Sequence, residues 1–178
     1  MVAIPRPGAD EYASYYGKYI DRVPEAGGEG ALVDLLGRQI GETQALLAGL
    51  PEARALYRYA TGKWSIKEVV GHLADAERVF AYRALRFARA DETPLASFDE
   101  NAFVPPGRFD SRLLSDLVAE FVAVRQATVA MLRGLPAEAV ARRGTASGKS
   151  VSVRALAYII AGHERHHVQI LKERYLQA

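Results

Sequence analysis

A chain of 178 residues, 49% hydrophobic and 25% charged, has the length of one domain and the apolar content to bury a core, which excludes a disordered chain and argues against two domains. Its formal net charge of +2, with Lys and Arg interleaved among Asp and Glu, offers no electrostatic footprint for nucleic acid. Without cysteine there are no disulfides, no thiolate ligands and no protein thiol nucleophile, so a metal would have to rely on imidazole, carboxylate and water.

The first residues, Met1-Val2-Ala3-Ile4-Pro5-Arg6-Pro7, lack the charged start and apolar run of a secretory signal, and no later stretch is long enough to span a bilayer. A cytoplasmic chain with no membrane partner is expected. Residues 1–28 read as an N-terminal extension. Within it Tyr12, Tyr15, Tyr16, Tyr19 and Ile20 have the spacing of a short helix over 10–22, laid across the bundle as a lid and stopped by Pro24 and Gly27-Gly28.

An apolar pattern at helical spacing then runs from about Ala31 through Leu35, Leu36, Ile40, Leu46 and Leu47, ending at Gly49-Leu50-Pro51. The second main helix has the clearest start: Ser65 as N-cap, Glu68 completing a capping box, and Trp64 placed to staple against Val69. It is expected to reach about Ala90. Residues 91–111 carry Pro94, Pro105, Pro106 and Gly107 without a sustained period and read as a crossover. A third helix follows from about Arg112 to Arg133, then a loop ending in Gly148-Lys149, then a fourth helix from about Ser152 to Leu176. No strand pattern competes. The expected fold is therefore all-α: a four-helix bundle over 1–178, with a long crossover between helices two and three and a short N-terminal helix.

A faint internal repeat accompanies this pattern. Thr43-Gln44-Ala45-Leu46-Leu47-Ala48-Gly49-Leu50-Pro51 resembles Thr128-Val129-Ala130-Met131-Leu132-Arg133-Gly134-Leu135-Pro136, and Trp64-Ser65-Ile66-Lys67 resembles Val151-Ser152-Val153-Arg154. Extending the second match without gaps sets Glu77 opposite Glu164. Two helix hairpins joined by the crossover would follow, although amphipathic helices ending in Gly also resemble one another by chance.

All four histidines fall in the second and fourth helices: His72 in one, His163, His166 and His167 in the other. With about 100° per residue, His163 and His167 lie about 40° apart near the centre of the stripe drawn by Val153, Leu156, Ala157, Ile160 and Leu171, while His166 is displaced by about 100°. Two imidazoles one turn apart on an inward face can converge on one divalent ion. A buried histidine that only hydrogen-bonds within the core is the competing reading. His72 sits about 100° from the centre of its own stripe, so its inward position stays open on periodicity alone.

Glu77 and Glu164 fall near the centres of apolar stripes, where a carboxylate must be paired or ligating. Glu77 is a candidate general base, further ligand or orienter of an imidazole; the alternative is a buried ion pair with a helix arginine such as Arg83, Arg154 or Arg165. Tyr57, Tyr59, Tyr82 and Tyr158 are candidates to line a pocket, or core residues with a wet tip.

Three blocks together carry a family resemblance: Tyr15-Tyr16-Gly17-Lys18-Tyr19-Ile20-Asp21-Arg22-Val23-Pro24, the segment from Trp64 through His72 to Arg78, and Ala157-Tyr158-Ile159-Ile160-Ala161-Gly162-His163-Glu164-Arg165-His166-His167. In order and content they resemble the DinB/YfiT-like family. The resemblance implies a four-helix bundle with a long connection between helices two and three, and a divalent metal held by His72, His163 and His167. The metal implied is zinc or nickel first, with iron or manganese as alternatives, and a homodimer is implied as well. It further implies a thiol S-transferase that uses an external low-molecular-weight thiol and an electrophilic substrate. A metal-assisted hydrolase, with Glu77 as base, is the alternative within enzymes; a non-catalytic, metal-stabilised, stress-linked binding module is the alternative outside them.

Overall fold

The computed structural model describes residues 2–25 and 28–177. Its principal helices are α2 (Ala31–Leu47), α4 (Ile66–Ala88), α6 (Leu114–Arg133) and α7 (Val153–Ile170), with three short ones: α1 (Gly17–Ile20), α3 (Glu52–Ala55) and α5 (Glu100–Gly107). Two antiparallel strands, β1 (Arg143–Ala146) and β2 (Lys149–Ser152), precede α7.

Local chemistry explains where the long helices begin. Ser65 Oγ accepts from the Glu68 backbone N–H at 3.0 Å while Glu68 accepts from the Ser65 N–H at 2.8 Å, the reciprocal capping box that satisfies two otherwise orphaned donors. Ser152 caps α7 in the same position, accepting from the Ala155 N–H at 3.0 Å. The apolar faces that follow bury Ile66, Val70, Leu73, Phe80 and Ala84 on α4 and Val153, Leu156, Ile159 and Ile160 on α7.

The four long helices pack in the cyclic order α4, α7, α2, α6. The pairs α2 with α4 and α6 with α7 are thus not principal neighbours, whereas α4 and α6, on either side of the crossover, are, which corrects the expectation of two hairpins. The connections within the first two pairs, residues 48–65 and 134–152, are too long to be tight antiparallel turns and carry structure of their own, so they do not force adjacency. One element of the repeat does appear in space, because Glu77 and Glu164 reach the same partner, described below.

Three local expectations are also corrected. The tyrosine-rich N-terminal segment is not one helix over 10–22; short 3₁₀ turns at Ala9–Glu11 and Ser14–Tyr16 lead into α1, and extended Tyr12 and Ala13 break the ladder between them. Gly27, part of the expected stop, lies outside the described residues. The crossover contains α5, because Asp99 accepts from the N–H groups of Asn101 and Ala102 at 2.9 and 3.3 Å and nucleates a turn. Pro105 and Pro106 fall in its last turn, where the carbonyls they leave unbonded belong to exposed Asn101 and Ala102.

The expected absence of strands is overturned by the β1–β2 hairpin. Ser147 and Gly148 both have positive φ, 54° and 70°, the combination that a two-residue hairpin turn with the proper twist requires. Four-residue strands carry too short an alternation to stand out from a loop. Finally, α7 ends at Ile170 in a π-helical turn over Leu171–Tyr175; Tyr175 donates from its hydroxyl to the Trp64 carbonyl at 2.8 Å, tying the C-terminus to the residue that opens α4. Among the described residues no helix is long and apolar enough to cross a membrane.

Candidate metal centre

The pairing of α4 with α7 brings His72, His163 and His167 together at the bundle's interior. The His72 and His163 Nε2 atoms are 3.0 Å apart, those of His163 and His167 3.2 Å apart, and one nitrogen from each ring lies within 4.8 Å of the others. His72, whose position periodicity left open, is buried and faces inward. Each of His72 and His163 directly follows a glycine. A β-carbon on Gly71 would stand 2.3 Å from the Phe109 ring, and one on Gly162 would stand 2.0 Å from the Tyr19 carbonyl oxygen. The crossover therefore seats on α4, and the N-terminal segment on α7, one residue ahead of a histidine in each case.

Burial holds the His72 imidazole down to about 4, and burial followed by mutual repulsion among the histidines pushes His163 and His167 well below the ordinary imidazole value. The three rings are thus neutral near pH 7, with lone pairs available. Two nitrogens bound to one ion at about 2.0–2.1 Å stand about 3.0 Å apart at a right angle and about 3.4 Å apart at a tetrahedral angle. The two short spacings match that range, so the donor set fits a divalent ion.

The imidazoles form the floor of a cavity of about 340 Å³ whose walls include Tyr15, Tyr16, Tyr19, Trp64, Phe80 and Phe98. Trp64 lies with its ring centroid 4.7 Å from that of His72, Tyr19 and Phe80 meet His163 edge-on at 5.2 and 5.9 Å. His166 also borders the cavity, displaced from the three-nitrogen cluster as its helical angle required. Of the tyrosines first considered, none lines this cavity: Tyr82 is exposed, Tyr158 is core, and Tyr59 borders a smaller neighbouring cavity. The tyrosines that do line it come from the N-terminal segment, whose tight placement is set by Gly162.

Glu77 and Glu164 are held by Arg125, which lies wholly in the core. Its Nε and Nη2 donate to Glu77 at 2.8–3.0 Å, and its Nη1 donates to Glu164 at 2.5 Å and to the Leu36 carbonyl at 3.3 Å. Thr43 donates from its hydroxyl to the other Glu164 oxygen at 2.6 Å. Burial disfavours the charged guanidinium, but the two carboxylates outweigh it and raise its pKa; burial raises that of Glu164, since one guanidinium serves two carboxylates. Glu77, the candidate base, is therefore an ion-pair partner in the core with both oxygens engaged, and it does not border the histidine cavity. Two of the three candidate arginines go elsewhere, Arg83 to the Ala96 carbonyl and Ser147 and Arg154 to Glu11. A signal for Arg125 existed, since it shares one helical face with Phe121, Thr128 and Leu132, the same test that singled out the two glutamates.

The class the structure defines is a helical bundle with a long crossover, in which three histidines of the facing helices α4 and α7 converge beside a cavity. The profile of the DinB superfamily matches residues 35–171, and the chain belongs to that superfamily. It is 26% identical over 147 residues, 80% of this chain and 82% of the relative, to a protein of Bacillus pumilus (strain SAFR-032) named "Putative metal-dependent hydrolase". Among solved structures it superimposes with a TM-score of 0.73, at 18% identity over 94% of this chain and 89% of the other, on one described as "YfiT from Bacillus subtilis is a probable metal-dependent hydrolase with an unusual four-helix bundle topology".

Proposed function

We propose that the protein is a divalent-metal-dependent enzyme acting on a small molecule, with His72, His163 and His167 as protein ligands. The observation that carries this reading is the convergence of three imidazoles, two buried and one half-buried, at the floor of a cavity. The names of the relatives support hydrolysis as the reaction. When bound, a divalent ion supplies Lewis acidity there, lowering the pKa of a small ligand such as water or a thiol so that a nucleophile is present near neutral pH. Three imidazoles suit zinc or nickel best, with iron or manganese following in affinity.

The chain's own residues prepare the site. Burial keeps the ligands unprotonated, Trp64 packs beside His72 and Phe80 beside His163, and Tyr19 meets the His163 ring edge-on. Thiol S-transfer with an external thiol is the second reading. It is favoured by the position of Glu77, whose carboxylate is committed to Arg125 and so leaves hydrolysis without the expected base.

Metal analysis of untagged protein and paired assays separate these readings. Stoichiometric metal, lost in His163→Ala, is expected. Hydrolysis forms product from an activated ester or amide without thiol; S-transfer forms product only when thiol is added. Protein lacking stoichiometric metal, with His163→Ala unchanged in stability and activity, would exclude both.

A further inference from the structure

The cavity above the histidines has a composition that selects its occupant. Six aromatic side chains wall it, and those nearest the floor stand edge-on to one another: Tyr16 to Phe80 at 6.0 Å and 83°, Phe80 to Phe98 at 6.2 Å and 76°, Tyr19 to His163 at 5.2 Å and 86°. A planar ring entering this collar meets a ring face or ring edge on several sides, whereas an alicyclic or branched group of equal size gains only contact area. At about 340 Å³ the space lies near the small end of ligand cavities, which run from about 300 to about 1,000 Å³.

Charge narrows the class further. Apart from the histidines, the charged residues bordering the cavity are Lys18 and Glu100. Lys18 has no carboxylate partner among the described residues, and its Nζ lies 4.8 Å from the centroid of Tyr19, the ring that contacts His163. Lys18 and Glu100 are both exposed, and it is Lys18 that lies against a ring in contact with the histidine floor. A cation without a carboxylate partner thus stands beside the floor, and three imidazoles, being neutral donors, would leave a bound ion's charge for the occupant to balance.

We infer that the substrate pocket takes small aromatic anions, the ring lodged in the collar of Tyr16, Tyr19, Phe80 and Phe98 and the anionic group drawn toward Lys18 and the cavity floor. This deepens the enzyme reading above and rests on it for the chemistry at the floor, but not for the recognition itself.

Trp64 is the sole tryptophan in the chain and forms part of the cavity wall, so its fluorescence reports occupancy. The experiment titrates chelated, metal-free protein with benzoate, with cyclohexanecarboxylate (equal charge, no aromatic face) and with benzyl alcohol (aromatic, uncharged). Saturable binding is expected, tighter for benzoate than for cyclohexanecarboxylate by about 2- to 10-fold, and tighter than for benzyl alcohol by about 2- to 5-fold at low salt. Trp64 also borders the smaller cavity, so two variants locate the signal. Phe98→Leu should abolish the preference for the aromatic ring, and Lys18→Gln the preference for the anion, both with unchanged circular dichroism. Absence of saturation, equal affinity for the cyclohexane acid, or preferences that survive both substitutions would overturn the assignment. A protein that binds benzoate selectively but holds no metal keeps this inference and loses the enzyme reading; one that holds metal without discriminating among the three probes does the reverse.

Discussion

The carbonyl oxygen of Tyr19 lies 2.0 Å from the place a β-carbon on Gly162 would occupy. Side-chain absence at one position of α7 thus lets the N-terminal segment lie close enough for Tyr19 to meet His163 at 5.2 Å. Gly162→Ala should lift that segment and destabilise the fold by about 1–3 kcal/mol, the usual range for overpacking. Urea denaturation measures it. An alanine accepted within about 0.5 kcal/mol, the range of surface substitutions, would show that the contact does not constrain the docking.

Arg125 joins three helices through Glu77 on α4 and Glu164 on α7. Arg125→Met strands two carboxylates in the core, and a loss of about 3–5 kcal/mol is expected. Adding Glu77→Gln and Glu164→Gln should recover most of it, because neutral amides need no counter-charge. If the triple variant is as unstable as the single one, the loss comes from packing, and the ion pairs are not its source.

Glu11 links the N-terminal segment to α7 by accepting from Arg154 at 2.7 and 2.5 Å. Burial acts to raise its pKa, but the bonds from Arg154, the Gly8 N–H and Ser152 together bring it down to about 2 from an ordinary 4.5. A carboxyl with a depressed folded-state pKa contributes stability above its unfolded value, and that stability fades as pH falls from about 4.5 toward about 2. Glu11→Gln should therefore flatten part of the acid limb of the stability profile while lowering stability near neutrality. Denaturant midpoints taken from pH 7 to pH 2 check it; parallel curves for the two proteins would refute the linkage.

The three-histidine cluster predicts a metal dependence of folding. An ion present at 100 times its Kd stabilises the native state by about 2.7 kcal/mol, so chelation should lower the Tm of the parent protein and leave that of His163→Ala unchanged. His166→Ala should retain the parent's metal stoichiometry, since His166 stands outside the cluster. Metal content and thermal melts with and without chelator read both; loss of metal in His166→Ala would reassign the ligands.

Much of the site was legible before folding, and the reason is local. Capping at Ser65 and Ser152 is a contact between residues three apart, and the angular placement of His163 and His167 against His166 follows from the helical turn alone. The burial of Glu77 and Glu164 was readable for the same reason. The identity of their partner was not, because Arg125 lies 48 and 39 residues away and any of several helix arginines satisfied the chemistry. The tyrosines of the cavity escaped likewise: their spacing resembled a helix, while their position depends on a backbone contact at Gly162.

By itself, then, the sequence determined the number of the long helices and the capped starts of α4 and α7, the face that carries two histidines, and the presence of buried carboxylates, all products of interactions within one turn. Tertiary structure decided the cyclic order of the helices, the arrival of His72 opposite His163, the choice of Arg125 and the aromatic walls around the cluster. These depend on which apolar faces meet, and burial of nonpolar area is non-directional: many pairings hide the stripes equally well, and only close packing of the whole chain selects one.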